Sequence, residues 1–107
     1  MPKEYCLVLS TCPEAETARK LATALVEEHL AACVNILPGL TSVYPWQDRI
    51  ETAEEHLLLI KTELAAFPDL EAFLKTHHPY ELPEIVAVHI VRGSADYLDW
   101  ITRWLRH

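Results

Sequence analysis

Apolar and polar positions along this chain switch between a period of two and a period near 3.6, and each switch marks an element. Residues 5–10 (YCLVLS) form a short, mostly apolar run that reads as a buried strand ending at a turn. Helix signals follow at once. Thr11 with Glu14 three residues on has capping-box spacing, Pro13 suits a first helical turn, and Glu14 and Glu16 suit the positive end of a helix dipole. Ala15, Ala18, Leu21, Ala22, Leu25, Val26 and His29 then recur at helical spacing, predicting a helix with one apolar stripe that runs to about His29.

Residues 33–37 (CVNIL) return to strand character, Pro38-Gly39 interrupts them, and residues 40–46 (LTSVYPW) resume an alternating pattern rich in β-branched and aromatic side chains. The segment reads as one long, kinked strand. Gln47, Asp48 and Arg49 supply a hairpin turn, and residues 50–62 climb back, polar at first (ETAEEH) and then continuously apolar (LLLI). The tip of this hairpin is expected to project from the body. Pro45 lacks a backbone donor, so its strand belongs at a sheet edge or a bulge. Pro68 and Asp69 open a second helix with Leu70, Phe73, Leu74 and His77 on one face and Lys75 and histidines at its negative end. After His78-Pro79-Tyr80 stops it, residues 85–91 (IVAVHIV) form a last strand, and Ser94 with Asp96 caps a terminal helix carrying Tyr97, Ile101, Trp104 and Leu105 on one side.

The order β-α-β-β-α-β-α predicts an α+β protein: a ferredoxin-like βαββαβ sandwich with an additional C-terminal helix, in one domain over residues 1–107. Both main helices then cover one sheet face. A sheet with a wet second face alternates apolar and polar residues, yet CLVL, LLLI and IVAVHIV are apolar on both sides. With no spare main helices, the second face is expected to be covered by other copies of the same chain.

Charge narrows the partners. A net charge of -7 repels phosphate, so neither nucleic acid nor an anionic membrane is expected. No run approaches the ~20 apolar residues of a membrane span, and MPKEYCLVLS lacks the pattern of a signal peptide, so a cytoplasmic location is expected. Cys6, Cys12 and Cys33 are an odd set without CxxC spacing and read as free thiols. HExxH, GxSxG, P-loop and dinucleotide motifs are all missing, and only 2 glycines occur, so the chain is not expected to be an enzyme. Glu54 and Glu55 read as a solvated strand end.

Several segments together resemble the CutA family of divalent-cation tolerance proteins: LAACVN at 30–35, GLTSVYPW at 39–46, Lys61-Thr62, His78-Pro79-Tyr80, Pro83-Glu84-Ile85 and the Tyr97-Leu98-x-Trp100 segment. The similarity runs in order from about Leu9 to Trp100. It implies a ferredoxin-like homotrimer with sheets inward and helices outward, linked to copper or another divalent metal ion. It also implies a likeness to PII signalling proteins, which bind small ligands between subunits. Fold alone does not carry function.

Within that resemblance Cys33 and His77 match positions implicated in copper binding, a thiolate and an imidazole being a soft donor pair; by itself Cys33 reads first as a packed strand residue. Ser10 stands where copper-binding members carry a cysteine. Cys12, expected at a helix N-terminus where the dipole lowers a thiol pKa, is the candidate replacement. His77 and His78 also suit last-turn carbonyls. Tyr44, Trp46, Lys61, His78, Tyr80 and Glu84 combine aromatic walls with polar groups, the mixture of a cleft for a small molecule or of an interface for a protein partner.

Overall fold

Among the described residues four strands and three α-helices follow one another in the expected order: β1 (Tyr5–Cys12), α1 (Ala15–Glu27), β2 (Cys33–Trp46), β3 (Arg49–Glu63), α2 (Phe67–His77), β4 (Val86–Ile90) and α3 (Ala95–Trp104), with one 3-10 turn (Leu64–Ala66) leading into α2. This computed structural model describes residues 3–105; Met1, Pro2, Arg106 and His107, which the sequence reading places in the same domain, lie outside the described residues. The strands form one antiparallel sheet in the order β2-β3-β1-β4. That is the split βαβ arrangement read from the sequence.

Period-two alternation sorts the sheet into two faces. On one, Cys6, Val8, Leu58 and Ile60 meet Ala18, Leu21 and Leu25 of α1 and Leu70 and Leu74 of α2, all of them buried. Each large side chain buried there contributes about 1.5–3 kcal/mol. On the other face, cross-strand pairing aligns Leu9 with Leu59 and Val86, Leu7 with Val88, and Leu37 with Leu57. Among these, Leu37, Val86 and Val88 are about half exposed, at 53%, 48% and 50%. The second face thus also carries a continuous apolar band, bordered by Asn35 beside Leu59 and Lys61 beside Leu7. The terminal helix covers only one end of it: Ile101 and Leu105 pack with Tyr5, Ala32, Ile90 and Leu98.

Two local outcomes differ from the sequence reading. Thr11 does not cap α1, because β1 runs on through Thr11 and Cys12, whose backbones pair with Leu57 and His56. The N-cap is Glu14, without a side-chain capping bond, and Pro13 stays outside the helix. At the other end α1 stops at Glu27, and His29 adopts a left-handed φ of 58°. There the amide of Leu30 donates to the Leu25 carbonyl and that of His29 to the Val26 carbonyl, a Schellman closure. Trp104 holds this unusual non-glycine position, its ring stacked on His29 at 4.1 Å and its indole N–H donating to the Val26 carbonyl.

The long hairpin follows the sequence more closely. Between Leu37 and Leu40, three steps on β2 match two on β3, so one extra residue enters at Pro38-Gly39, with Gly39 at φ 77°. The kink therefore bends one continuous strand. Gln47 and Asp48 both take left-handed φ (49° and 63°), the two-residue turn that matches strand twist, and Arg49 already belongs to β3. β2 is an edge strand, so Pro45 needs no partner on its outer side.

Candidate functional site

Where the projecting hairpin leaves the sheet, the loop between α2 and β4 folds across the end of β1 and borders an open cavity of ≈ 480 Å³. Its walls come from three places: Tyr44, Pro45 and Trp46 on β2, Thr11 near the end of β1 with Glu55 midway along β3, and Tyr80, Glu81, Leu82 and Glu84 on the loop. Alternation brings Glu55 here. It lies two residues from Leu57 on the apolar side of β3 and, across from Leu40, is only 5% exposed. The sequence reading of Glu55 as solvated is therefore wrong, and the signal that could have corrected it was its parity with Leu57 and Leu59.

A buried carboxylate needs a partner, and Tyr80 supplies one, its hydroxyl donating to Glu55 Oε2 at 2.6 Å. Burial, followed by this hydrogen bond and the Glu55 charge, raises the Tyr80 phenol above its usual range. Behind Tyr80, His78 is buried and uses both ring nitrogens. The Tyr80 amide donates to Nδ1 at 3.0 Å, so the proton sits on Nε2, which donates to the Thr11 carbonyl at 2.8 Å. His78 thereby fastens the loop to β1 and sets the level of the cavity.

Of the six residues expected to form a cleft, the structure brings four together: Tyr44, Trp46, Tyr80 and Glu84. His78 supports the wall from behind. Lys61 stands apart, six residues beyond Glu55 along β3, or roughly 20 Å at ~3.3 Å per residue, and its ammonium lies 5.6 Å from the Tyr97 ring centroid. Thr11 was missed because its sequence context suggested a helix cap.

The three residues expected as metal donors are dispersed. Cys12 ends a strand instead of beginning a helix, is fully buried, and lies with its sulfur 3.8 Å from His78 Nε2. Burial first, and the Glu55 charge second, push its thiol up to about 11, the reverse of the lowering a helix N-terminus would give. Cys33 faces Lys61 while Cys12 faces His56, five residues away on β3, a separation of roughly 17 Å along the strands. His77, beside His78 at the Cys12 end, stacks on Phe73 and donates from Nδ1 to the Phe73 carbonyl at 2.9 Å. Among the described residues no group of three or more His, Cys, Asp or Glu side chains converges on a possible metal position. The described residues of one chain gather no donor set that fits a resident copper or other divalent ion.

The raised thiols give a pH prediction. Cys6, also pushed up to about 11 by burial, and Cys12 keep their protons in the fold, whereas their reference value is 9.0. Between these values the folded chain binds more protons than the unfolded one, so stability falls as pH rises from 9 to 11. Each thiol contributes on the order of 2 kcal/mol to that fall. Urea midpoints measured across this range should drop steeply, and less steeply in Cys12→Ala; a flat profile would refute the buried-thiol account.

Comparison with known proteins adds an independent line. A family model described as CutA1 divalent ion tolerance protein matches residues 6–103. The divalent-cation tolerance protein CutA of Thermus thermophilus is 56% identical over 95 residues, covering 89% of this chain and 92% of that protein. Protein CutA of Mus musculus is 40% identical over 101 residues, and this chain spans 57% of its length. The solved structure of a Thermus thermophilus divalent cation tolerance protein superposes with a TM-score of 0.92 at 52% identity, covering 95% of this chain and 99% of that one. Among the described residues no helix is long and apolar enough to cross a membrane.

Proposed function

This chain belongs to the CutA1 divalent ion tolerance family, and from that premise we propose that it is a cytoplasmic, non-enzymatic homotrimer that binds a small ligand at the base of its projecting hairpin. The observation that carries the reading is the cavity itself, a concave site whose aromatic walls and few polar groups are those of a ligand pocket. The apolar second sheet face supports assembly, because Leu37, Val86 and Val88 are about half exposed and Leu9, Leu57 and Leu59 beside them are only partly buried. In the trimer the cavity lies near neighbouring copies, as in a PII-like sensor or adaptor.

A thermal-shift series with metabolites, nucleotides, amines and divalent ions tests this. A ligand of the cavity raises the melting temperature with its concentration, and Trp46→Ala abolishes the shift. Ligands whose effect survives Trp46→Ala place the function elsewhere.

Copper binding is the second reading, favoured by one feature. With His77 Nδ1 committed to the Phe73 carbonyl, Nε2 is left as the ligating atom in a fixed orientation. Because Cys33 and His77 do not meet within a chain, such a site draws its donors from different copies. Cu(I) titration under anaerobic conditions should then show binding in the assembled protein that disappears in Cys33→Ser with His77→Ala. Unchanged affinity in that double variant removes the site.

A further inference from the structure

We propose that the ligand of this cavity is a linear aliphatic polyamine, an extended cation whose ammonium groups are separated by methylene segments. The proposal rests on the reading of the cavity as a ligand site and specifies the chemistry of its occupant.

Charge sets the sign. The lining contains three carboxylates, Glu55, Glu81 and Glu84, and no Lys, Arg or His. The chain as a whole carries -7. An anionic ligand such as a nucleotide phosphate would enter against both the local and the summed field, whereas a cation is drawn in.

Geometry distinguishes a point cation from an extended one. A hard divalent ion gathers about six oxygen ligands at a single centre, yet no three carboxylates of the described residues converge. The three of the cavity are instead distributed, with Glu55 buried on the sheet and Glu81 and Glu84 exposed on the loop. Charges spaced around a wall match charges spaced along a chain.

The surface between the carboxylates sets the class further. Tyr44, Trp46 and Tyr80 present aromatic side chains, which receive methylene segments by burial and ammonium groups by cation–π attraction. Glu55 holds the Tyr80 hydroxyl, so that ring is fixed before the ligand arrives. The ≈ 480 Å³ volume suits a small organic molecule and far exceeds the needs of one ion.

Calorimetric titration of the full-length protein with spermidine at low salt tests the assignment, with butylamine, magnesium and ATP as comparison probes. Saturable spermidine binding is expected, weaker for the monoamine, and reduced about tenfold or more in Glu81→Gln with Glu84→Gln. Those carboxylates are exposed, so the fold tolerates their loss. Glu16→Gln with Glu27→Gln, on α1, should leave binding unchanged and so exclude general attraction to an acidic surface. Absence of spermidine binding, or affinity unaltered in the loop double variant, overturns the proposal. If ATP binds in a Trp46-dependent manner and spermidine does not, the polyamine assignment fails while the cavity remains a ligand site. If no probe binds in a Trp46-dependent manner, both fail.

Discussion

Leu59→Glu should convert the proposed homotrimer into a folded single subunit. Leu59 lies at the centre of the uncovered face, paired with Leu9 on β1 and Asn35 on β2. In one isolated chain its side chain is only partly buried, so a carboxylate there can remain hydrated and the fold is spared. In a trimer closed through this face, each copy would place an unpaired charge in an apolar contact, and every such charge costs several kcal/mol. Sedimentation at micromolar concentration should therefore move from three subunits to one. Far-ultraviolet circular dichroism should retain helix and sheet, because Leu58 and Ile60 still pack under α1 and α2. Thermal stability should fall with the loss of association. A wild-type protein that already sediments as one subunit, or a variant that still assembles, would sink the assignment of this face to self-association.

That face was legible in the sequence, since three strands with apolar residues on both parities cannot be covered by two helices. Element order, the hairpin and the restriction of Pro45 to an edge or a bulge were likewise legible, because each follows from periodicity, turn residues or a missing amide. What periodicity did not reveal was where competing backbone partners prevail. The TCPE segment carries a helix-start pattern, but Thr11 and Cys12 gain more from ladder pairing with β3 than Thr11 would from capping. That one shift moved Cys12 from a helix end into the core and reversed the direction of its pKa change.

The cavity was legible in part for a related reason. Tyr44, Trp46, Tyr80 and Glu84 are conspicuous residue types in short segments. Glu55 and Thr11 are not, and their role depends on which face of a strand meets a loop some 25 residues distant in sequence from Glu55. Sequence gives the parity of a residue but not what crosses over it. His78 shows the same limit: one of two adjacent histidines is buried, and nothing in the dipeptide says which.

That pair yields the sharpest contrast in stability. His78→Ala removes a ring that joins the Tyr80 amide to the Thr11 carbonyl, with bonds of 3.0 and 2.8 Å. Deletion leaves the buried Thr11 carbonyl and the partly buried Tyr80 amide unmet, the former costing about 1–3 kcal/mol and the latter somewhat less. It also frees the loop that carries Tyr80 to Glu55, so a total near 3 kcal/mol is expected, lowering the melting temperature by roughly 10 °C or more. His77→Ala, one residue earlier, loses an exposed hydrogen bond within α2 and a stacking contact with Phe73, and should cost less than about 1 kcal/mol. Urea denaturation of the two variants side by side measures the difference directly. Equal losses would mean that His78 does not tie the loop to β1, and the cavity would then have no fixed wall on that side.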